Sequence, residues 1–352
     1  MARQLTDRYS HSSEYLQKRR KNILFLLTLF IVLLLAVLFS LWLGSYNTPF
    51  YEIIRALFGL ASDQKINLIV QDNRMPRVLT AVFSGAGLGI SGCVLQSILR
   101  NPLASSSTLG VSQGASFGAA FAIIVLNMGE LGVLGSLSIP LSAFVGSLLV
   151  ALLILALSRL RSITPESIIL AGVAISAMFT GATALMQYFA SEVELTTLVF
   201  WTFGSLGNTT NADVLQLSFV VLSLSAYFMF NRWNYNALTS DEHTAMSLGI
   251  NVRNFTLINL LLSCLIASLV VSKIGLINFI GLIAPHIVRL AVGNNHVYLL
   301  PGSMMAGALL LLLGDLFSRM VLSPIILPIG AITSFLGGPM FLYLLLKGGH
   351  KQ

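Results

Sequence analysis

The residues best suited to act on something outside the chain lie in one polar stretch, Ala237-Leu-Thr-Ser-Asp-Glu-His-Thr-Ala-Met-Ser-Leu-Gly-Ile250, set between apolar runs. The Ser240 hydroxyl can cap a helix start, and Asp241 and Glu242 in the first turn put negative charge where the helix dipole favours it. Gly249 stands where a left-handed residue closes a helix. The spacing predicts about two turns over Asp241–Leu248, presenting Ala245, Met246 and Leu248, with a second short segment, Asn251–Phe255, leading back into apolar sequence. A capped polar helix between apolar runs offers a docking surface rather than a catalytic one.

Groups for covalent or metal chemistry are sparse. His286 and Arg289 lie in the stretch Gly275–Arg289, and His243 in the polar stretch, but neither a nucleophile nor a ligand cluster accompanies them. Cys93 and Cys264 sit inside apolar runs and read as small packing residues, and no Cys/His spacing suits a metal. The chain contains no G-x-x-x-x-G-K-[ST] phosphate loop, so it cannot hydrolyse a nucleotide by that route.

Whatever these groups do, apolar helices must position them. The chain has 352 residues, 56% hydrophobic and 9% charged, with a mean hydropathy of +0.86. Soluble domains carry about 25% charged residues, so the composition is that of a polytopic membrane protein. Apolar runs long enough to cross a bilayer lie near 22–46, 78–99, 111–127, 134–157, 168–190, 212–231, 255–274, 277–292, 298–321 and 329–346; those at 111–127 and 277–292 are the shortest. Phe50–Leu60 is too short to cross, and Glu52 and Arg55 among its apolar residues suit a helix lying at the interface. Lys18-Arg19-Arg20-Lys21 precedes a run too long for a cleaved signal. The expected organisation is a basic segment 1–21 followed by one transmembrane domain, 22–352, with a polar loop at 233–254.

Lysine and arginine placement gives the threading. With the amino terminus inside and ten spans, 14 of the 20 basic residues fall on the inner side. Arg55, Lys65, Arg74, Arg77, Lys273 and Arg319 fall outside. The net charge of +7 is thus a topology signal spread over several loops, which argues against nucleic-acid binding. Gly85 with Gly89, Gly110 with Gly114 and Gly118, and Gly330 with Ser334 and Gly338 form small-residue stripes that let helices pack closely. Asp315 precedes Arg319 by four residues, so the two share a helix face and can pair.

Several short motifs, in order, carry a family resemblance. They are Arg74-Met-Pro-Arg77, Ser91-Gly92 with Gln96, Arg100-Asn-Pro-Leu-Ala104, Leu109-Gly-Val-Ser-Gln-Gly-Ala115, Leu170-Ala-Gly-Val173, Trp201 with Gly204-Ser-Leu206, and Leu248-Gly249. Phe279-Ile-Gly-Leu282, Pro285-His286 with Arg289, Leu300-Pro301, Asp315 with Arg319, and Leu327-Pro-Ile-Gly330 with Gly338-Pro339 follow. The chain resembles the FecCD-type permeases of ABC importers for iron–siderophore, haem and vitamin B12. Ser105-Ser106 and Ile326 stand where relatives often have acidic residues. The resemblance implies an all-α type II importer permease of ten transmembrane helices in a bacterial or archaeal cytoplasmic membrane, with both termini in the cytoplasm. It implies a second permease subunit, two ABC ATPases and an external substrate-binding protein as partners. ATP and magnesium would be held by the ATPases and no cofactor or metal by this chain, which is then a transport subunit and not an enzyme.

The resemblance also assigns residues. Ser240, Asp241, Glu242, Ala245, Leu248 and Gly249 would belong to the coupling helices that seat on the ATPase. Arg74, Arg77 and Arg319 would meet acidic residues of the binding protein. The fifth and tenth helices would line the pathway, with Thr164 and Glu166 at the inner gate, Ser191 near the outer gate, and Ser176, Thr180, Thr183 and Gln187 between them. The cargo implied is an iron(III)-siderophore-type chelate moved by alternating access, with a corrinoid or haem as alternatives. An ion-coupled secondary carrier is the reading from another class, but it needs ionisable groups at mid-membrane, and Asp315 is the only acid well inside a span.

Overall fold

The computed structural model describes residues 2–44, 48–127, 132–160 and 164–348, and the regular elements among them are all helical. Tyr46, Arg161 and Lys351, used in the span and charge assignments above, lie outside the described residues.

Helix α1 (Ala2–Trp42) has 41 residues. At 1.5 Å per residue it is about 60 Å long, twice a hydrocarbon core of about 30 Å. The basic segment is therefore not a separate coil; from Ala2 onward it continues the first span as helix. Next come α2 (Phe50–Leu57) and α3 (Gln64–Leu68). Helix α2 buries Ile53 and Ala56 and exposes Phe50, Tyr51 and Ile54, the division of an interfacial helix. The Ser62 hydroxyl and amide donate to Glu52 at 2.7 and 2.9 Å, holding its carboxyl below the usual carboxylate range.

A π-helical turn, Ile69–Arg74, leads into α4 (Met75–Ile98). The chain continues through α5 (Val111–Ala120), α6 (Gly132–Leu160), α7 (Pro165–Tyr188), α8 (Glu192–Phe203), α9 (Asn211–Phe230), α10 (Arg232–Ser240) and α11 (Glu242–Ser247). It ends with α12 (Val252–Ile274), α13 (Ile280–Val292), α14 (His296–Met320) and α15 (Ile329–Gly348). Among the described residues seven helices are long and apolar enough to cross a membrane, and three shorter apolar helices cover Val111–Val125, Ile280–Val292 and Ile329–Tyr343. Seven and three match the ten expected runs one for one. Helices α8 and α10 were not expected.

In the most apolar window of the second span 83% of residues are buried, against 11% in the first. Helix α4 is therefore the hub and α1 the rim. Lipid gives helices no hydrophobic reason to associate, so close backbone approach must do it. A Cβ at Gly85 or Gly89 would strike a carbonyl of α14, at Gly307 or Ser303, and one at Gly92 would strike the Gly281 carbonyl of α13. Gly114 and Gly118 likewise meet Gly146 and Ser142 of α6. Gly110, with φ +91°, caps α5 rather than extending that stripe. Gly330 abuts the Leu276 and Phe203 carbonyls, while Gly338 has nothing within 4 Å.

Polar contacts sort the helix ends into two faces. On one, Asn22 Nδ2 donates to Val292 O at 3.4 Å, Arg253 to Ser158 O at 3.3 Å, and Arg100 pairs with Glu242 at 3.2 Å. On the other, Arg74 binds the end of α1, Arg77 pairs with Asp315, and Lys273 pairs with Asp213. The five basic residues in these contacts divide between the faces as the charge pattern divides them.

Candidate functional site

The polar loop folds as two helices, not one. Ser240 is the last residue of α10, where its hydroxyl donates to Asn236 O at 3.1 Å. The cap is Asp241, extended at φ −166°, whose carboxylate accepts from Thr244 N at 3.3 Å. Ser240 was a reasonable candidate by residue type, but only a residue with non-helical backbone can turn its side chain onto the N3 amide, and Ser240 is inside the preceding helix. Gly249 has φ +82°, the left-handed closure expected of it. Ala245 is fully buried in the core, contrary to expectation, while Met246 (48%) and Leu248 (68%) are exposed.

These two helices are rooted in the bundle. The buried Tyr235 hydroxyl donates to Asn259 Oδ1 of α12. Asn236 Oδ1 accepts from His296 N at 2.8 Å and lies 2.8 Å from His296 Nδ1. His296 Nε2 is 2.6 Å from Ser97 Oγ of α4. With the proton on Nδ1, that nitrogen donates to Asn236 Oδ1 and Nε2 is left to accept from the Ser97 hydroxyl, whose single proton is also within reach of Cys93 O at 2.8 Å. Helix α10, which Asp241 joins to α11, is thus tied to α4, α12 and α14 by buried hydrogen bonds. None of these root residues was singled out from sequence. Asn231, Asn234 and Asn236 are weak helix formers, and the partners of Asn236 and Tyr235 lie 24 to 60 positions away.

Beside the root, a cavity of about 300 Å³ is lined by Arg100, Glu242 and Leu238 together with Thr164, Pro165 and Ile168 at the start of α7. Thr164 caps α7, accepting from Ser167 N at 3.4 Å, with Pro165 in the first turn. Glu166 is exposed in that turn. Arg100 thus bridges to the polar helices at the place where α7 begins.

Along α7 the expected polar residues divide. Ser176 and Thr183 turn inward and bond back to Gly172 O and Phe179 O at 2.7 and 2.8 Å. Thr180 is exposed and Gln187 half-buried, and the exposed residues of the helix include the small Ala174, Ala177, Gly181 and Ala184 beside the larger Leu170, Val173, Met178 and Leu185. Ser191 caps α8 in a reciprocal box with Glu194, whose carboxylate accepts from Ser191 N at 2.7 Å.

At the opposite end three guanidinium groups line one basin of about 520 Å³. Arg77 Nη2 lies 2.8 Å from Asp315 Oδ1, and Arg319 Nε lies 3.0 Å from Asp315 Oδ2. Arg319 also donates to Ser40 Oγ at 2.7 Å and Leu43 O at 3.1 Å, and Arg74 to Leu41 O at 2.9 Å and Trp42 O at 3.1 Å. Two arginines thus satisfy carbonyls at and just beyond the end of α1, where cations suit the helix dipole. The three side chains are mostly buried by these contacts and not held out as free ligands, yet three cations against one carboxylate leave the basin positive.

In α13, Arg289 donates to Gln96 Oε1 at 2.9 Å and Gln96 Nε2 to Leu282 O at 3.2 Å, tying α13 to α4. Both cysteines are free and buried, and no cluster of three or more His, Cys, Asp or Glu among the described residues could hold a metal.

Comparison with known proteins adds an independent line. The FecCD transport family matches residues 32–347. An ABC transporter permease protein of Methanocaldococcus jannaschii is 45% identical over 334 residues, covering 93% of this chain and 95% of that one. The hemin transport system permease protein HmuU of Yersinia pestis is 35% identical, covering 91% and 96%. A solved inward-facing metal-chelate-type ABC transporter superposes with a TM-score of 0.80 at 31% identity, over 92% of this chain and 99% of that one.

Proposed function

The chain belongs to the FecCD transport family, and from that premise we infer that it is the membrane-spanning permease subunit of an ABC importer, taking up an iron(III)-siderophore-type chelate. The observation that carries the coupling part of this reading is α10–α11: two short helices with exposed apolar side chains, Met246 and Leu248, at their end and a buried root in three spans. Such a device receives force from a partner, and a chain without a phosphate loop needs one. The proposed partner is a pair of ABC ATPases, which hold the ATP and magnesium. The face bearing Arg100, Glu242 and Arg253, with both termini, is then cytoplasmic.

A second permease subunit would cover the apolar surface of α7, α8 and α15, where Leu185, Tyr188, Phe200 and Phe335 are exposed. The pathway would run along α7, whose exposed residues beyond the first turn are small or apolar apart from Thr180, with Thr164 and Glu166 at its inner end and Ser191 near its outer end. Haem is the second reading for the cargo, favoured by the hemin permease of Yersinia pestis, and a corrinoid the third.

The test is uptake by proteoliposomes holding the permease, its ATPases and a loaded binding protein. Ferric-chelate uptake should need ATP and the ATPases. Uptake by the permease alone, driven by a proton or sodium gradient, would replace this reading with the secondary carrier. The positive basin would steer an acidic rim of the binding protein. Arg74→Gln should then weaken that docking by about three- to tenfold at low salt, with the difference shrinking as salt screens it; equal docking at low salt removes the basin from the interface.

A further inference from the structure

On the flank of the bundle a groove of about 950 Å³ runs between α6 and α12. Its walls are apolar, among them Leu152, Leu257, Ile258 and Leu261, and Arg253 and Asn254 stand at one end. Leu152 and Ile258 are half exposed. Arg253 lies in the first turn of α12, on the face shared with Arg100 and Glu242, and donates to Ser158 O near the end of α6 at 3.3 Å. From Arg253 to Leu261 is about 12 Å along the helix, so the groove starts at the membrane boundary and reaches most of the way through a leaflet core of about 15 Å.

This is a cationic end on an apolar trough at lipid depth. A planar guanidinium matches a phosphate in shape and charge, and basic pockets between spans suit anionic head groups. Glu242, the carboxylate lining the adjoining cavity, is paired with Arg100 at 3.2 Å, so its charge is offset there. We propose that the groove seats one anionic phospholipid, its phosphate at Arg253 and an acyl chain along α6 and α12. Arg253 lines both this groove and the cavity beside the Arg100–Glu242 bridge. The lipid therefore sits one side chain from the polar helices, and its charge bears on their contact with the bundle.

Native mass spectrometry of the full chain, offered equal phosphatidylglycerol and phosphatidylcholine, tests this. The unaltered chain should retain one phosphatidylglycerol in preference to phosphatidylcholine. Arg253→Gln should lower that preference about fivefold. Ile258→Trp fills the trough without touching the arginine and should reduce retention of the lipid, which keeps the test decisive if the arginine variant is unstable. Free glycerol phosphate should not displace the lipid. No preference in the unaltered chain, an undiminished preference in Arg253→Gln, full retention in Ile258→Trp, or displacement by glycerol phosphate would each overturn the proposal.

Discussion

Met246→Asp combined with Leu248→Asp should cut uptake by the assembled importer at least about tenfold while leaving the permease folded. Both side chains are exposed, whereas Ala245 beside them is fully buried. The double change thus removes apolar contact area from the partner-facing side without opening a cavity inside. A pair of apolar anchors contributes a few kcal/mol to a docked interface, and every 1.4 kcal/mol is tenfold in affinity. Measured together, ATPase co-purification and substrate-stimulated ATP hydrolysis should both fall, with the permease's melting temperature unchanged. Altering Gly249 in place of Met246 would confuse the result, because φ +82° strains any side chain there. Normal coupling in the double variant would mean that α11 is not where force enters.

Asp315→Asn should be among the most destabilising single changes in the chain. Its carboxylate is fully buried, while the arginines on either side are 13% and 14% exposed. Neutralising it leaves two guanidinium groups facing each other without their counter-charge. Breaking a buried pair in this way costs about 3–5 kcal/mol. In a chain this long that corresponds to a fall of roughly 4–7 °C in melting temperature. An unchanged melting temperature would mean that water or bilayer phosphate compensates the two cations. The same geometry explains why Arg77→Glu is a poor probe of partner docking. It would set a second carboxylate against Asp315 and disturb the packing of α4 on α14, whereas Arg74→Gln removes charge without creating that clash.

The ten apolar helices, seven of them long enough to cross, were legible because each is an apolar run and lipid imposes helix on such runs. The pairing of Asp315 with Arg319 was legible because four residues on a helix fix a distance. Its second partner, Arg77, is 238 positions away, and no local spacing could have named it. Helix α8 left a trace that could have been read: Ser191-Glu-Val-Glu194 is a capping box ahead of an apolar run. Helix α10 left none, since its asparagines favour loops and its helix is held by bonds to α12 and α14. The inward turn of Ser176 and Thr183 is invisible to residue type. A hydroxyl that bonds its own helix carbonyl can face either a neighbour or a pathway, and for Ser176 packing beside Gly110 chose the neighbour.

The glycine contacts of α4 have a mechanical corollary. Because its backbone lies directly against α13 and α14 at Gly281, Ser303 and Gly307, those three helices cannot slide or roll without atoms colliding. They form a stator. Opening and closing would then fall to helices outside that set, α7 among them. Spin labels within the stator should hold one separation throughout the transport cycle, and a label on α7 should move relative to them.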